Sequence, residues 1–121
     1  MTTPATLVVG ASPNKDRYSF LATELLTQKG YPVYPFGIKK GMINELAINN
    51  EWPAPGTIDT VTLYLGPAAQ VDYYTPIISL APRRIIFNPG TENPDLVALA
   101  AKNGIETLEA CTLVLLKTGQ Y

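Results

Sequence analysis

"VVGASPNKDRYS", residues 8–19, decides how the chain is read. An apolar run ends at Gly10, small and polar residues follow, and an amphipathic stretch begins at Arg17. A strand that closes on glycine and leads straight into a helix is the start of a βαβ unit. The dinucleotide signature G-x-G-x-x-G is absent, because Gly10 is the one glycine of the stretch. The turn still offers backbone N–H groups and the Ser12 hydroxyl at a helix N-terminus, which suits an anion. Arg17 adds a fixed positive charge. On spacing alone two readings stand: a phosphate site, or a tight βα turn beside a solvated arginine.

Working outward, residues 6–10 ("TLVVG") read as a buried strand and Arg17–Lys29 as a helix. On that helix Tyr18, Leu21, Ala22, Leu25 and Leu26 share a face, and Gly30 follows as the C-terminal cap. "YPVYP" at 31–35 is a second short strand limited by its prolines. "MINELAI" at 42–48 is expected to hold a short edge strand, followed by the turn-rich "NNEWPAPG". "DTVTLYL" at 59–65 is a third strand, and residues 68–80 fit a helix whose weak point is Pro76. "RRIIFN" at 83–88 is a strand. The next helix carries Asn93 as N-cap, Pro94 at the first position, Asp95 in the first turn and Gly104 after its end. "IETLE" at 105–109 is the last strand, and "CTLVLLKTG" closes the chain as a short helix. Strands alternating with helices predict an α/β fold: one doubly wound Rossmann-like domain over 1–121, with a mainly parallel sheet of about five strands.

Composition narrows the function. A chain of 121 residues is enough for one core and should bury roughly 65% of its unfolded surface. The net charge of −1 gives no electrostatic case for nucleic acid or an anionic membrane. No stretch reaches the ~20 apolar residues that span a bilayer. The start "MTTPATLVVG" lacks the basic segment of a signal peptide, and a single cysteine excludes an internal disulfide, so a cytoplasmic protein is expected. There is no histidine. That excludes Ser-His-Asp and Cys-His catalysis and the usual zinc sites.

In open α/β sheets, ligands bind beyond the carboxyl ends of the strands, where the strand order reverses. The turns expected at that edge are the opening stretch, "PFGIKKG" (35–41), "LGPAA" (65–69), "NPGTEN" (88–93) and "EAC" (109–111). Strand two ends without the acid that binds a ribose diol in dinucleotide sites. Lys39 and Lys40 follow instead, which favours an additional phosphate, whether the 2′-phosphate of NADP or the 3′-phosphate of coenzyme A. The other reading of "IKKG" is an exposed basic turn.

At this point the sequence resembles the small single-domain CoA-binding proteins. These are similar to the N-terminal CoA-binding domain of the succinyl-CoA synthetase α subunit. The resemblance rests on Gly10, Ala11, Ser12, Arg17, Tyr18 and Ser19, on Val33-Tyr34-Pro35, on Asn88-Pro89-Gly90, and on Cys111 after the last strand. It covers nearly the whole chain and is loosest over residues 43–57. Many members read Val-Asn-Pro after strand two, where this chain has "PFGIKKG", and many carry an Arg-Pro-Pro where it has Leu65-Gly66-Pro67. The resemblance implies a Rossmann-like fold and binding of CoA or an acyl-CoA. The expected binding residues are Gly10, Ala11, Ser12, Arg17, Tyr18, Ser19, Pro35, Gly37, Lys39, Lys40, Gly66, Pro67, Asn88, Pro89 and Gly90.

Fold and family imply no reaction. No catalytic residue and no metal site is expected. Cys111 is either a thiol at the ligand edge or a small residue packed under the last helix, and no base accompanies it. Tyr73 and Tyr74 cover the helix at 68–80, unless one lines a pocket, and Trp52 reads as a local plug. Glu92 and Glu109 point to the ligand edge as ordinary exposed carboxylates. The expectation is a non-catalytic CoA-binding module. The alternative is a small NADP- or CoA-dependent enzyme, or a subunit of one completed by a partner subunit; under either reading a homodimer is a candidate assembly.

Overall fold

The computed structural model describes residues 5–121. The stretch 1–4, which the expected domain and the signal-peptide argument include, lies outside the described residues. Five strands form one parallel sheet: β1 (Ala5–Val9), β2 (Val33–Phe36), β5 (Ile58–Leu63), β6 (Arg84–Phe87) and β7 (Glu106–Glu109). Their order is β2-β1-β5-β6-β7, and every pairing is parallel. The chain leaves β1 toward β2 and then returns to β1's other side with β5. The strand order therefore reverses at β1/β5, and the crevice at the carboxyl ends lies there.

The central strands are buried on both faces, as in parallel sheets generally. Leu7, Val9, Val61, Leu63, Ile85 and Phe87 face α3 (Tyr74–Ser79) and α4 (Pro94–Lys102), meeting Ile77, Leu80, Leu96 and Ala100. On the opposite face Val8 packs with Phe20 and Leu26 of α1 (Tyr18–Gln28) and Leu116 of α5 (Thr112–Lys117). α4 begins as its sequence demands: the Asn93 side chain accepts from the amides of Asp95 at 3.1 Å and Leu96 at 3.3 Å, with Pro94 at the first helical position.

Two segments differ from the sequence expectation. Residues 42–48 hold no edge strand of the main sheet. They form a separate antiparallel hairpin of β3 (Met42–Ile43) and β4 (Leu46–Ala47), in which Asn44 takes φ 55°. Asparagine tolerates that left-handed conformation, which lets so short a hairpin close. The helix expected over 68–80 is broken into α2 (Pro67–Gln70), a 3₁₀ turn (Val71–Tyr73) and α3. Pro76 is the cause. It has no N–H to give, and it sits at the third position of α3, where that donor would have had no intrahelical partner.

On the α5 face of the sheet, one buried amide ties the sheet to the start of α5. The Asn88 side chain donates to the Thr62 hydroxyl at 2.7 Å and the Leu63 carbonyl at 2.8 Å. It accepts from the Thr112 amide at 2.9 Å, at the start of α5. The Thr62 and Thr112 hydroxyls bond each other at 2.8 Å. Asn88 is 2% exposed, so water cannot replace these bonds. Asn88→Ala leaves the Thr112 amide without an acceptor and is expected to lower stability by about 2–3 kcal/mol. Denaturant unfolding checks this, and a change under ~0.5 kcal/mol would show that α5 does not depend on this amide.

Candidate functional site

The turn after β1 is held against the end of β2 by one carbonyl. The amides of Gly10 and Ala11 both donate to the Phe36 oxygen, at 3.0 and 2.9 Å. Gly10 takes φ 95° there, and a Cβ on it would press on the Tyr64 backbone at 3.2 Å. Gly37 is still tighter, since a Cβ would collide with the Ala11 carbonyl oxygen. Both glycines are thus required by the close approach of these loops.

This corrects one expectation. The N–H groups of Gly10 and Ala11 are not free for an anion, because the sheet edge uses them. The open donors lie one turn later. Arg17 is the N-cap of α1, no side chain caps that helix, and no acid sits in its first turn. Among the described residues, the Tyr18 and Ser19 amides have no backbone acceptor. The Ser12 hydroxyl accepts from the Asn14 amide at 3.1 Å and keeps its own proton to donate.

These groups border a cavity of about 360 Å³ at the β1/β5 crevice. Gly10, Ala11, Ser12, Arg17, Tyr18, Ser19, Gly37, Lys39 and Pro89 line it, as the sequence placed them at this edge. Pro35, Lys40, Gly66, Pro67, Asn88 and Gly90 do not line it, and neither does Cys111. All but Lys40, which is exposed in the loop after β2, have a structural place instead. Pro35 is a buried residue of the edge strand β2, and its carbonyl accepts from the Asn49 amide at 2.8 Å. Asn88 is committed to the α5 junction described above. Gly90 holds the positive φ of a Pro-Gly turn, at 91°, which Thr91 closes by donating to the Asn88 carbonyl at 2.9 Å. Gly66 is the N-cap of α2 and Pro67 its first residue. Cys111 is a half-buried free thiol at the N-cap of α5.

Phe36, Ile38, Tyr64, Leu65, Tyr73 and Thr91 also line the cavity; none is among the expected binding residues, although the sequence left a pocket-lining place open to Tyr73 or Tyr74. Tyr64, Leu65 and Thr91 were detectable in principle, because they end β5 or sit in the Pro-Gly turn. Which of Tyr73 and Tyr74 lines the cavity was not, since that depends on the break in the helix. Tyr73 stacks on Trp52 at 5.5 Å, and Trp52 meets Phe36 edge-on at 4.9 Å. Trp52 also donates from Nε1 to the Pro76 carbonyl at 3.3 Å, so it is the plug that the sequence anticipated.

The charge of the cavity is one-sided. Arg17 and Lys39 line it and no carboxylate does, although the chain as a whole carries −1. Neither cation forms an ion pair among the described residues, where Arg83–Asp59 is the one recorded. The same residues hold no cluster of histidine, cysteine or acid suited to a metal ion. No described helix is long and apolar enough to cross a membrane.

A family model described as a CoA binding domain matches residues 5–117. The chain belongs to this family. The family's fold is also that of solved structures. One, of an uncharacterized protein, is 45% identical over 100% of both chains with a TM-score of 0.93. A conserved hypothetical protein from Pyrococcus furiosus is 22% identical, covers 93% of this chain and 98% of its own, and has a TM-score of 0.79. A protein from Thermus thermophilus is 20% identical, with 98% and 91% covered and a TM-score of 0.81. The last two show the Rossmann-like fold alone. No curated protein matches the chain.

One lining residue carries an unpaired polar atom. The Tyr64 hydroxyl is buried without a hydrogen-bond partner among the described residues. Burial pushes its ionisation well above the ordinary phenol range, and the nearby Thr62 and Thr112 hydroxyls oppose this without reaching hydrogen-bond geometry. A phenol whose folded pKa is raised contributes stability that is complete below the unfolded value, about pH 10, and is lost as pH rises toward the folded one. Tyr64→Phe is expected to leave neutral-pH stability within about 1 kcal/mol of the parent, or slightly above it, because no bond is lost. It should also flatten the alkaline fall in melting temperature. A fall as steep as the parent's would place the alkaline-sensitive group elsewhere, Tyr121 being the other raised phenol of this face.

Proposed function

We propose that this protein binds coenzyme A, or an acyl-CoA, in the cavity at the β1/β5 crevice, as a non-catalytic binding module. The observation that carries this reading is the lining itself. Two cations, no carboxylate and the open amides of an uncapped helix start converge on one cavity at the strand-order reversal. Membership of the CoA-binding domain family supports coenzyme A as the ligand.

In this reading the diphosphate lies at the first turn of α1, on the Tyr18 and Ser19 amides, the Ser12 hydroxyl and the Arg17 guanidinium. Lys39 takes the 3′-phosphate of the adenosine ribose. Lys40, one residue outside the lining, adds charge at the mouth. Arginine suits the diphosphate because its fork of donors matches phosphate oxygens. Glycines 10 and 37 hold the loops in place, while Gly66, Pro67, Asn88 and Gly90 act through the shape of the edge. With no histidine in the chain and no acid in the cavity, no general base stands near a bound thiol or thioester.

Calorimetric titration tests the placement. Arg17→Ala is expected to weaken CoA binding by about 1.5–3 kcal/mol, the range for hydrogen bonds to charged groups. Unchanged affinity in a folded variant would remove the diphosphate from this turn. CoA is expected to bind more tightly than dephospho-CoA by about 1–2 kcal/mol, with the difference shrinking as salt rises. Lys39→Ala should abolish most of that preference and Lys40→Ala little of it. NADP binding more tightly than CoA would favour instead the reading of an NADP-dependent enzyme or subunit.

A further inference from the structure

Gln70 is 0% exposed, an unusual place for a primary amide, and its bonds reach three separate segments. Nε2 donates to the Leu65 carbonyl at 2.8 Å and to the Thr91 carbonyl at 2.8 Å. Oε1 accepts from the Asn93 side chain at 3.0 Å. Asn93 also bonds the Tyr74 hydroxyl at 2.8 Å and caps α4. Leu65 follows β5 and Thr91 follows β6, and both line the cavity. Beyond the last rung of a parallel ladder, carbonyls have no strand partner. A glutamine offers two donors on one nitrogen and an acceptor beside it, so one side chain can tie both loops and remain satisfied.

The half of the cavity that Gln70 braces differs from the other half. The loops after β1 and β2 bring Arg17 and Lys39, whereas Tyr64, Leu65, Tyr73, Pro89 and Thr91 on the β5/β6 side carry no charge. A ligand with a polyanionic end and a neutral arm has one favourable orientation in such a cavity. We infer that Gln70 is a positioning residue that fixes the neutral half of the cavity, and that this half takes the uncharged pantetheine arm of the ligand. This rests on the CoA reading above. Gln70 does not line the cavity and acts through the backbone of Leu65 and Thr91.

The test compares CoA with 3′-phospho-ADP, which keeps every phosphate and lacks the arm. The wild-type protein is expected to bind CoA more tightly. Gln70→Met, similar in length but without the amide, should weaken CoA about tenfold, the worth of one or two hydrogen bonds, and leave 3′-phospho-ADP within about twofold. Leu65→Ala should produce the same selective loss with the Gln70 bonds intact. Gln70→Glu supplies a rescue. Its carboxylate faces two carbonyls, and protonating it restores a donor, so its preference for CoA should recover on acidification while the wild-type preference stays level. Equal losses for both ligands in Gln70→Met, or no loss, would overturn the positioning role. If Gln70→Met does not fold, the acid rescue decides that role and Leu65→Ala decides the place of the arm. Wild-type protein that binds both ligands equally would overturn the inference and leave the CoA reading standing. Wild-type protein that binds neither would overturn both.

Discussion

The Phe36 carbonyl, with the Gly10 and Ala11 amides both turned onto it, is the contact around which the rest of the edge is arranged. It ties the turn after β1 to the end of β2 across the crevice. It can form because residue 10 accepts a left-handed backbone and residue 37 has no Cβ to strike the Ala11 carbonyl. Drawing those two amides into the sheet edge sets where an anion can be held. The donors that remain belong to the first turn of α1, uncapped and free of acids, and they face Arg17 and Lys39 around the same opening. A turn that looks like a phosphate loop therefore ties two strand ends together, and the adjoining helix provides the electropositive surface.

The sheet is asymmetric in chemistry as well as in charge. The face toward α3 and α4 is wholly apolar in its core, from Leu7 to Phe87. The face toward α1 and α5 carries a run of polar side chains: Thr6, Thr60, Thr62, Arg84 and Asn88. These groups bond one another or neighbouring side chains and backbone. Arg84 donates from Nε to the Thr60 hydroxyl at 3.0 Å and lies 4.5 Å from the centre of the Tyr121 ring. Thr60 in turn donates to Asp59 at 2.7 Å, which relays the arginine's charge to a carboxylate at the surface. Tyr121 bonds Thr6 and meets Tyr31 edge-on at 4.9 Å, so the end of the described chain closes this polar face. Such bonds add less to stability than an equal area of apolar packing, but each polar group specifies its partner.

The two halves of the cavity are maintained by different means. Backbone amides and glycines hold the β1/β2 side, where close approach matters. A buried side-chain amide holds the β5/β6 side, where Gln70 bridges the Leu65 and Thr91 carbonyls. The broken helix connects them. Because α3 restarts before Pro76, the 3₁₀ turn delivers Tyr73 to the cavity, while Gln70, at the end of α2, points inward.

By itself the sequence determined the parallel α/β architecture, since the alternation of short apolar runs with capped amphipathic segments admits little else. Nearly every strand and helix lies within a residue or two of its expected place. It also determined the chemistry that is missing, because a chain without histidine cannot build the common triads or zinc sites. Of the expected site residues, those read from the β1 turn, with Gly37, Lys39 and Pro89, line the cavity. That part was legible because a glycine-bounded strand leading into a helix implies its geometry locally. What only the tertiary structure decided was which loops meet. The division between Lys39 inside and Lys40 outside depends on the path of the loop after β2, and adjacent lysines are identical in composition and charge. Asn88 looks like a ligand residue at the end of a strand, but its amide is consumed by Thr62, Leu63 and Thr112, partners more than twenty residues away in sequence. Tyr73 reaches the cavity for the same reason: the stacking on Trp52 that places it crosses between segments, and no local pattern of residues records a contact whose other end lies elsewhere in the chain.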